Sequence, residues 1–183
     1  MTEFEQFVSI ENKKREEKEK NKLDPEKEKQ EWFQYTKSLF DSIRDYLASH
    51  IKDGSIEYKS STIEMYEELL GKYEIEKHDI IIGNKTIELI PIGTILLGAK
   101  GRVDMKLGSR ICRLVLVNKD QTEPRINFSI SINGIPETKK EEIKTPESIE
   151  WEWKISTLPP TIQYFPLNEE SFKDALMEIA SGR

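Results

Sequence analysis

With 183 residues the chain is long enough for one domain of ordinary size plus an appendage, and its balance of 36% apolar and 34% charged residues suits a small core carrying a solvated tail. A net charge of -6 excludes a protein whose whole surface attracts nucleic acid, while leaving a local basic patch open. One cysteine, Cys112, and two histidines, His50 and His78, exclude an internal disulfide and a Cys/His zinc site, so neither a metal nor a cofactor is expected.

The N-terminus, MTEFEQFVSIENKKREEKEK, has no basic segment followed by an apolar one, so it does not read as a secretory signal. The longest apolar runs, Ile80–Ile82 and Ile95–Leu97, fall far short of the roughly 20 residues that span a bilayer. A cytoplasmic protein without a membrane partner is expected. Residues 11–31 are almost wholly charged, with Leu23 the single aliphatic side chain, and cannot bury enough surface to fold on a core. Ahead of them Phe4, Phe7, Val8 and Ile10 are spaced close to one helical face. We therefore divide the chain into a charged extension over 1–23, flexible or helical, and one domain over 24–183.

Asp24-Pro25 has the form of a helix start, an acidic cap followed by a proline suited to the first turn. Trp32, Phe33, Leu39, Phe40, Ile43, Tyr46, Leu47 and Ile51 then recur at steps of three and four, predicting one helix that ends at Gly54. His50, near its C-terminus, fits a capping role better than a catalytic one. The next segment is ambiguous. Ser61-Thr62-Ile63-Glu64 has the form of a capping box for a short helix over 62–70, whereas Ile63 and Met65 also alternate as in a strand.

From Lys72 onward the pattern is β. Tyr73 and Ile75 alternate with charges, and Ile80–Ile82 run into a Gly83-Asn84 turn followed by Ile87, Leu89 and Pro91, which predicts a hairpin. Thr94–Leu97, Val103 and Met105, and the turn Lys106–Ser109 follow. Cys112, Leu114 and Leu116 then alternate with Arg113, Val115 and Val117, predicting a strand buried on both faces near the centre of a sheet. Residues 126–132 and 149–155 alternate as half-buried antiparallel strands, with a polar loop over 135–147 between them. Pro159-Pro160 breaks the chain, TIQYF suggests a short strand, and Asn168 caps a last helix bearing Phe172, Ala175, Leu176 and Ile179. The fold class expected is α+β: a mainly antiparallel sheet with a long N-terminal amphipathic helix and a short C-terminal helix packed on it.

Chemistry is sparse. The segment GTILLGAKGRVDMKLGSRICR gathers Lys100, Arg102, Lys106, Arg110 and Arg113 with Asp104 as the single acidic neighbour, and glycines 98, 101 and 108 would let backbone N–H groups approach an anion. Lysines and glycines at hairpin tips are equally explained by turn structure. Asp104 and Lys106, with Glu88 or Asp79 upstream, have the acidic-x-Lys form used by metal-dependent nucleases, in which carboxylates hold Mg²⁺ and a lysine supports charge on phosphate. Cys112 in an apolar strand reads as inert, His78 as a surface residue beside Asp79, and Trp151 and Trp153 as core.

The function expected is therefore non-catalytic binding of a macromolecule, first of all another protein, in an accessory or inhibitory subunit. The arm carrying Phe4, Phe7 and Val8 would bind that partner or a second copy. The alternative is a nucleic-acid-binding or Mg²⁺-dependent nuclease module using the basic 100–113 segment, with Glu88, Asp104 and Lys106 at its centre.

Overall fold

The computed structural model describes residues 24–94, 98–124 and 149–182, together with Asn12. The arm residues Phe4, Phe7 and Val8, the run Ile95–Leu97, the strand expected over 126–132 and the loop over 135–147 lie outside the described residues.

Helix α1 spans Pro25–Tyr46, and the Asp24 carboxylate accepts from the backbone N–H groups of Glu26 (3.1 Å) and Lys27 (3.4 Å), as its acidic cap position requires. Its apolar stripe buries Trp32, Leu39, Phe40 and Ile43. The single helix expected to run to Gly54 is interrupted at Leu47 (φ -101°, ψ 3°), and a separate five-residue helix α2, Ala48–Lys52, follows. The apolar stripe nonetheless continues across the break, with Leu47 buried in the core and Ile51 of α2 packed half-buried against it.

Seven strands follow: β1 Glu57–Glu67, β2 Gly71–Ile82, β3 Lys85–Gly93, β4 Gly101–Leu107, β5 Arg110–Asn118, β6 Trp151–Ser156 and β7 Tyr164–Pro166. They lie in chain order, each antiparallel to the next, in one sheet. The ambiguous segment around Ile63 is strand β1. Its capping-box motif goes unused because Ile63 and Met65 pair with Ile75 and Tyr73 of β2 and share their burial. The hairpin at Gly83-Asn84 forms with Ile82 opposite Lys85, and the positive φ of Gly83 (59°) is what a two-residue turn between twisted strands demands. β5 is buried on both faces as expected, through Leu114 and Leu116 on one side and Val115 and Val117 on the other.

Helix α3, Glu169–Ser181, begins with a reciprocal cap between Asn168 and Ser171 and buries Phe172, Leu176 and Ile179. Lys85 reaches its other end and donates to the Ala180 carbonyl (2.6 Å), a favourable place for a cation. Both long helices cover the same face of the sheet. Trp32, Ile43 and Phe172 pack into one core with Ile87, Leu89, Val103, Met105 and Leu114, and the Tyr46 and Phe172 rings join the helices at 6.0 Å. A smaller cluster of Val115, Val117 and Tyr164, with Ala99 and Ile162 against it, sits on the opposite face. The fold is thus mixed α+β, built on an antiparallel sheet. Among the described residues no helix is long and apolar enough to cross a membrane.

Strands β1 and β2 depart from strict alternation. On β2 the core-facing residues are first Tyr73 and Ile75 and then His78 and Ile80, so the facing parity changes between Ile75 and His78. The same change occurs on β1, from Ile63 and Met65 to Tyr58, while the pairing register between the strands stays unbroken. Strict alternation from Tyr73 would have sent Lys77 and Asp79 into the core and left His78 outside.

Candidate functional site

The face of the sheet opposite the helices collects the charged candidates. Alternation places Glu88, Ile90 and Ile92 of β3, Arg102, Asp104 and Lys106 of β4, and Ile111, Arg113 and Val115 of β5 on this side. The three weak catalytic candidates do come together here: Lys106 is directly opposite Glu88 on β3, and Asp104 is two residues away on Lys106's own strand.

Their carboxylates are already engaged. Arg102 grips Asp104 with two parallel bonds, Nε to Oδ1 (2.6 Å) and Nη2 to Oδ2 (2.7 Å), in a pair that leaves Asp104 5% exposed. The hydrogen bond that Arg102 donates to Asp104 holds its pKa above the ordinary value. Glu88 accepts from Lys77 (2.7 Å), which also lies 3.3 Å from Asp79, and those two carboxylates, Glu88 foremost, raise the lysine's pKa. Among the described residues no group of three or more His, Cys, Asp or Glu side chains converges to hold a metal ion.

The five cations of the basic segment are divided among three places. Lys100 turns to the helix side, where it pairs with Glu31 and Glu28 of α1 and lies over the rings of Tyr35 (5.9 Å) and Trp151 (5.5 Å). Burial opposes its charge, yet the glutamates prevail and its pKa is raised. Arg110 leaves the turn after β4 and lies against Gly182 at the C-terminal end of α3. Arg102, Lys106 and Arg113 remain on the face opposite the helices. Arg102 belongs to Asp104, whereas Lys106 and Arg113 have no ion pair or hydrogen bond among the described residues, and the Nε of Arg113 is a buried donor without a partner.

Gly101 and Gly108 have separate structural roles, one in packing and one in a turn. Gly101 lies under Trp32: a Cβ there would stand 2.3 Å from Cζ3 of the indole. Gly108 opens the two-residue turn between Leu107 and Arg110. An anion-binding role for Gly101 is replaced by close helix–strand approach.

Lys154, not singled out from sequence, is buried on the same face, where its ammonium donates to the carbonyls of Lys119 (2.5 Å) and Gln121 (2.8 Å) and ties β6 to the turn after β5. Trp153 is core, as expected. Its Nε1 donates to the Tyr35 carbonyl (3.1 Å) and its ring lies 6.2 Å from that of Trp32. Burial pushes the Cys112 thiol up to about 12, with Glu178 and Asp104 adding to the effect. At pH 8 the folded protein is expected to react with an aromatic disulfide roughly a hundredfold or more slower than the unfolded chain, as measured by release of the coloured thiol.

His78 corrects the sequence reading. It is 2% exposed rather than a surface neighbour of Asp79, because the parity change turns it onto the helix side. His50 is exposed, with Nδ1 3.3 Å from the Ser55 hydroxyl.

Comparison with known proteins yields no match to a family model, to a curated protein or to a solved structure.

Proposed function

We propose that the protein is a non-catalytic binding protein that holds an acidic stretch of another protein on the face of its sheet opposite the helices. The observation that carries this reading is the state of Lys106 and Arg113, two cations without ion partners among the described residues, set beside Ile90, Ile92 and Ile111. Free cations next to apolar side chains suit a partner that offers carboxylates and hydrophobic contacts together. The engagement of Asp104 and Glu88 in ion pairs favours binding over metal-assisted cleavage. In the same reading residues 24–183 act as one cytoplasmic domain, and residues 1–23, through Phe4, Phe7 and Val8, add a second contact to the partner or to another copy.

The test is titration with a Glu/Asp-rich peptide carrying interspersed leucines and, separately, with a single-stranded oligonucleotide, followed by amide chemical shifts. Expected is peptide binding mapped to β4 and β5 and weakened at least about tenfold, roughly 1.4 kcal/mol, by combining Lys106→Glu with Arg113→Glu. Lys100→Ala should leave the affinity unchanged, since Lys100 faces the helices. Preferential binding of the oligonucleotide with a steep salt dependence would instead support the nucleic-acid alternative.

A further inference from the structure

The two ring nitrogens of His78 are buried and neither has a hydrogen-bond partner among the described residues. A polar ring in that position destabilises the fold unless some other contribution offsets its desolvation, and here the offset is packing. The imidazole stacks on Phe40 of α1, centroids 4.0 Å apart and planes 30° apart, and lies 5.2 Å from the ring of Tyr58 on β1. The Tyr58 hydroxyl donates to the Phe40 carbonyl (3.4 Å), so the histidine fills the seam where the middle of α1 meets the β1–β2 hairpin.

We propose that His78 is a proton-operated latch whose neutral ring keeps the C-terminal half of α1 on the β1–β2 hairpin and whose charged ring releases it. The charged groups around the seam do not rescue the imidazolium. Glu76 of β2 places Oε2 3.4 Å from Nε2, but its side chain is 65% exposed and its charge is shared with water. Asp41 of α1 also favours the charged ring, while Arg44 of the same helix, 5.3 Å over the Tyr58 ring, opposes it. Tyr58 of β1 is uncharged, its phenol held far above neutrality by burial. β3 contributes Leu89, the residue paired with His78. Burial is the largest influence and the pKa of His78 falls below its ordinary 6.5.

The sign follows from linkage. A released or unfolded chain takes up the proton at the ordinary value, whereas the closed seam refuses it, so the open form binds more protons. Closure is complete above about pH 6.5 and is lost as the pH falls through that value toward the lower one of the closed state. Each pH unit within that window changes the open-to-closed ratio by up to about tenfold. Ordinary carboxylates titrate lower, leaving pH 5–7 to histidine.

The full chain has two histidines, which makes the test direct. Imidazole titration by NMR is expected to place His78 below the ordinary 6.5. Hydrogen-exchange protection factors in the second half of α1 are expected to fall several-fold, at most about tenfold, between pH 7.5 and 5.5. His78→Phe should remove that dependence, and Glu76→Gln should enlarge it, because Glu76 is the strongest of the groups that partly offset burial in favour of the charged ring. A His78 that titrates at or above 6.5, or an acid-driven loss of protection that persists in His78→Phe, would overturn the latch. Should His78→Phe fail to fold, the titration and the Glu76→Gln comparison decide.

Discussion

Replacing Gly101 by alanine is expected to lower stability by about 2–3 kcal/mol, an overpacking cost at the upper end of the usual range. The new methyl would stand 2.3 Å from Cζ3 and 2.9 Å from Cε3 of Trp32, distances at which the indole or the strand must move. Neither moves easily. Trp32 is 1% exposed and leans on Trp153, which is fixed by its own bond to the Tyr35 carbonyl. Urea unfolding followed by tryptophan fluorescence would measure the loss. Combining Gly101→Ala with Trp32→Leu is expected to cost less than the sum of the single changes, because the smaller side chain leaves room for the methyl. Full additivity, or a harmless Gly101→Ala, would mean that the indole does not rest on this glycine. The same contact explains why α1 crosses the start of β4 so closely, and why Lys100, the preceding residue, reaches Glu28 and Glu31 on that helix.

Asp104→Ala is the second large effect, expected at about 2–4 kcal/mol. The carboxylate is nearly buried and satisfies the fork of Arg102, while Arg113 stands directly opposite it on β5. Its removal would leave Arg102, Lys106 and Arg113 on one face without the charge that offsets them. The cost is below that of a fully buried pair because the Arg102 side chain keeps 23% of its exposure. Pairing Asp104→Ala with Arg102→Leu is expected to recover a large part of the loss, since an apolar pair needs no counter-charge. A double-mutant cycle in urea with a coupling near zero would contradict this. The experiment also separates two roles for Asp104: a carboxylate that organises the sheet face alters stability when removed, whereas one kept for metal chemistry is often replaceable at little cost to the fold.

Local rules in the sequence determined the elements. Period-two alternation specified the strands, Gly83-Asn84 specified a hairpin because a two-residue turn between twisted strands needs positive φ, and Asn168 specified the start of α3 through a cap made within one turn. Each depends on neighbours within a few residues. Ser61–Glu64 shows where that stops: its capping-box form was locally adequate, and the strand won because β2 offered Ile63 and Met65 a partner. The site was less legible still. Five cations close in sequence read as one patch, but the facing rule and the helix positions sent Lys100 to α1, Arg110 to α3 and Arg102 to Asp104, leaving Lys106 and Arg113 on the face opposite the helices. A glycine that suggested anion binding proved to make room for an indole from a helix some 70 residues earlier in the chain. The burial of His78 was decided furthest from the sequence. It required β1 and β2 to change facing parity together, and the side on which a strand presents its next residue is set by what packs against the sheet.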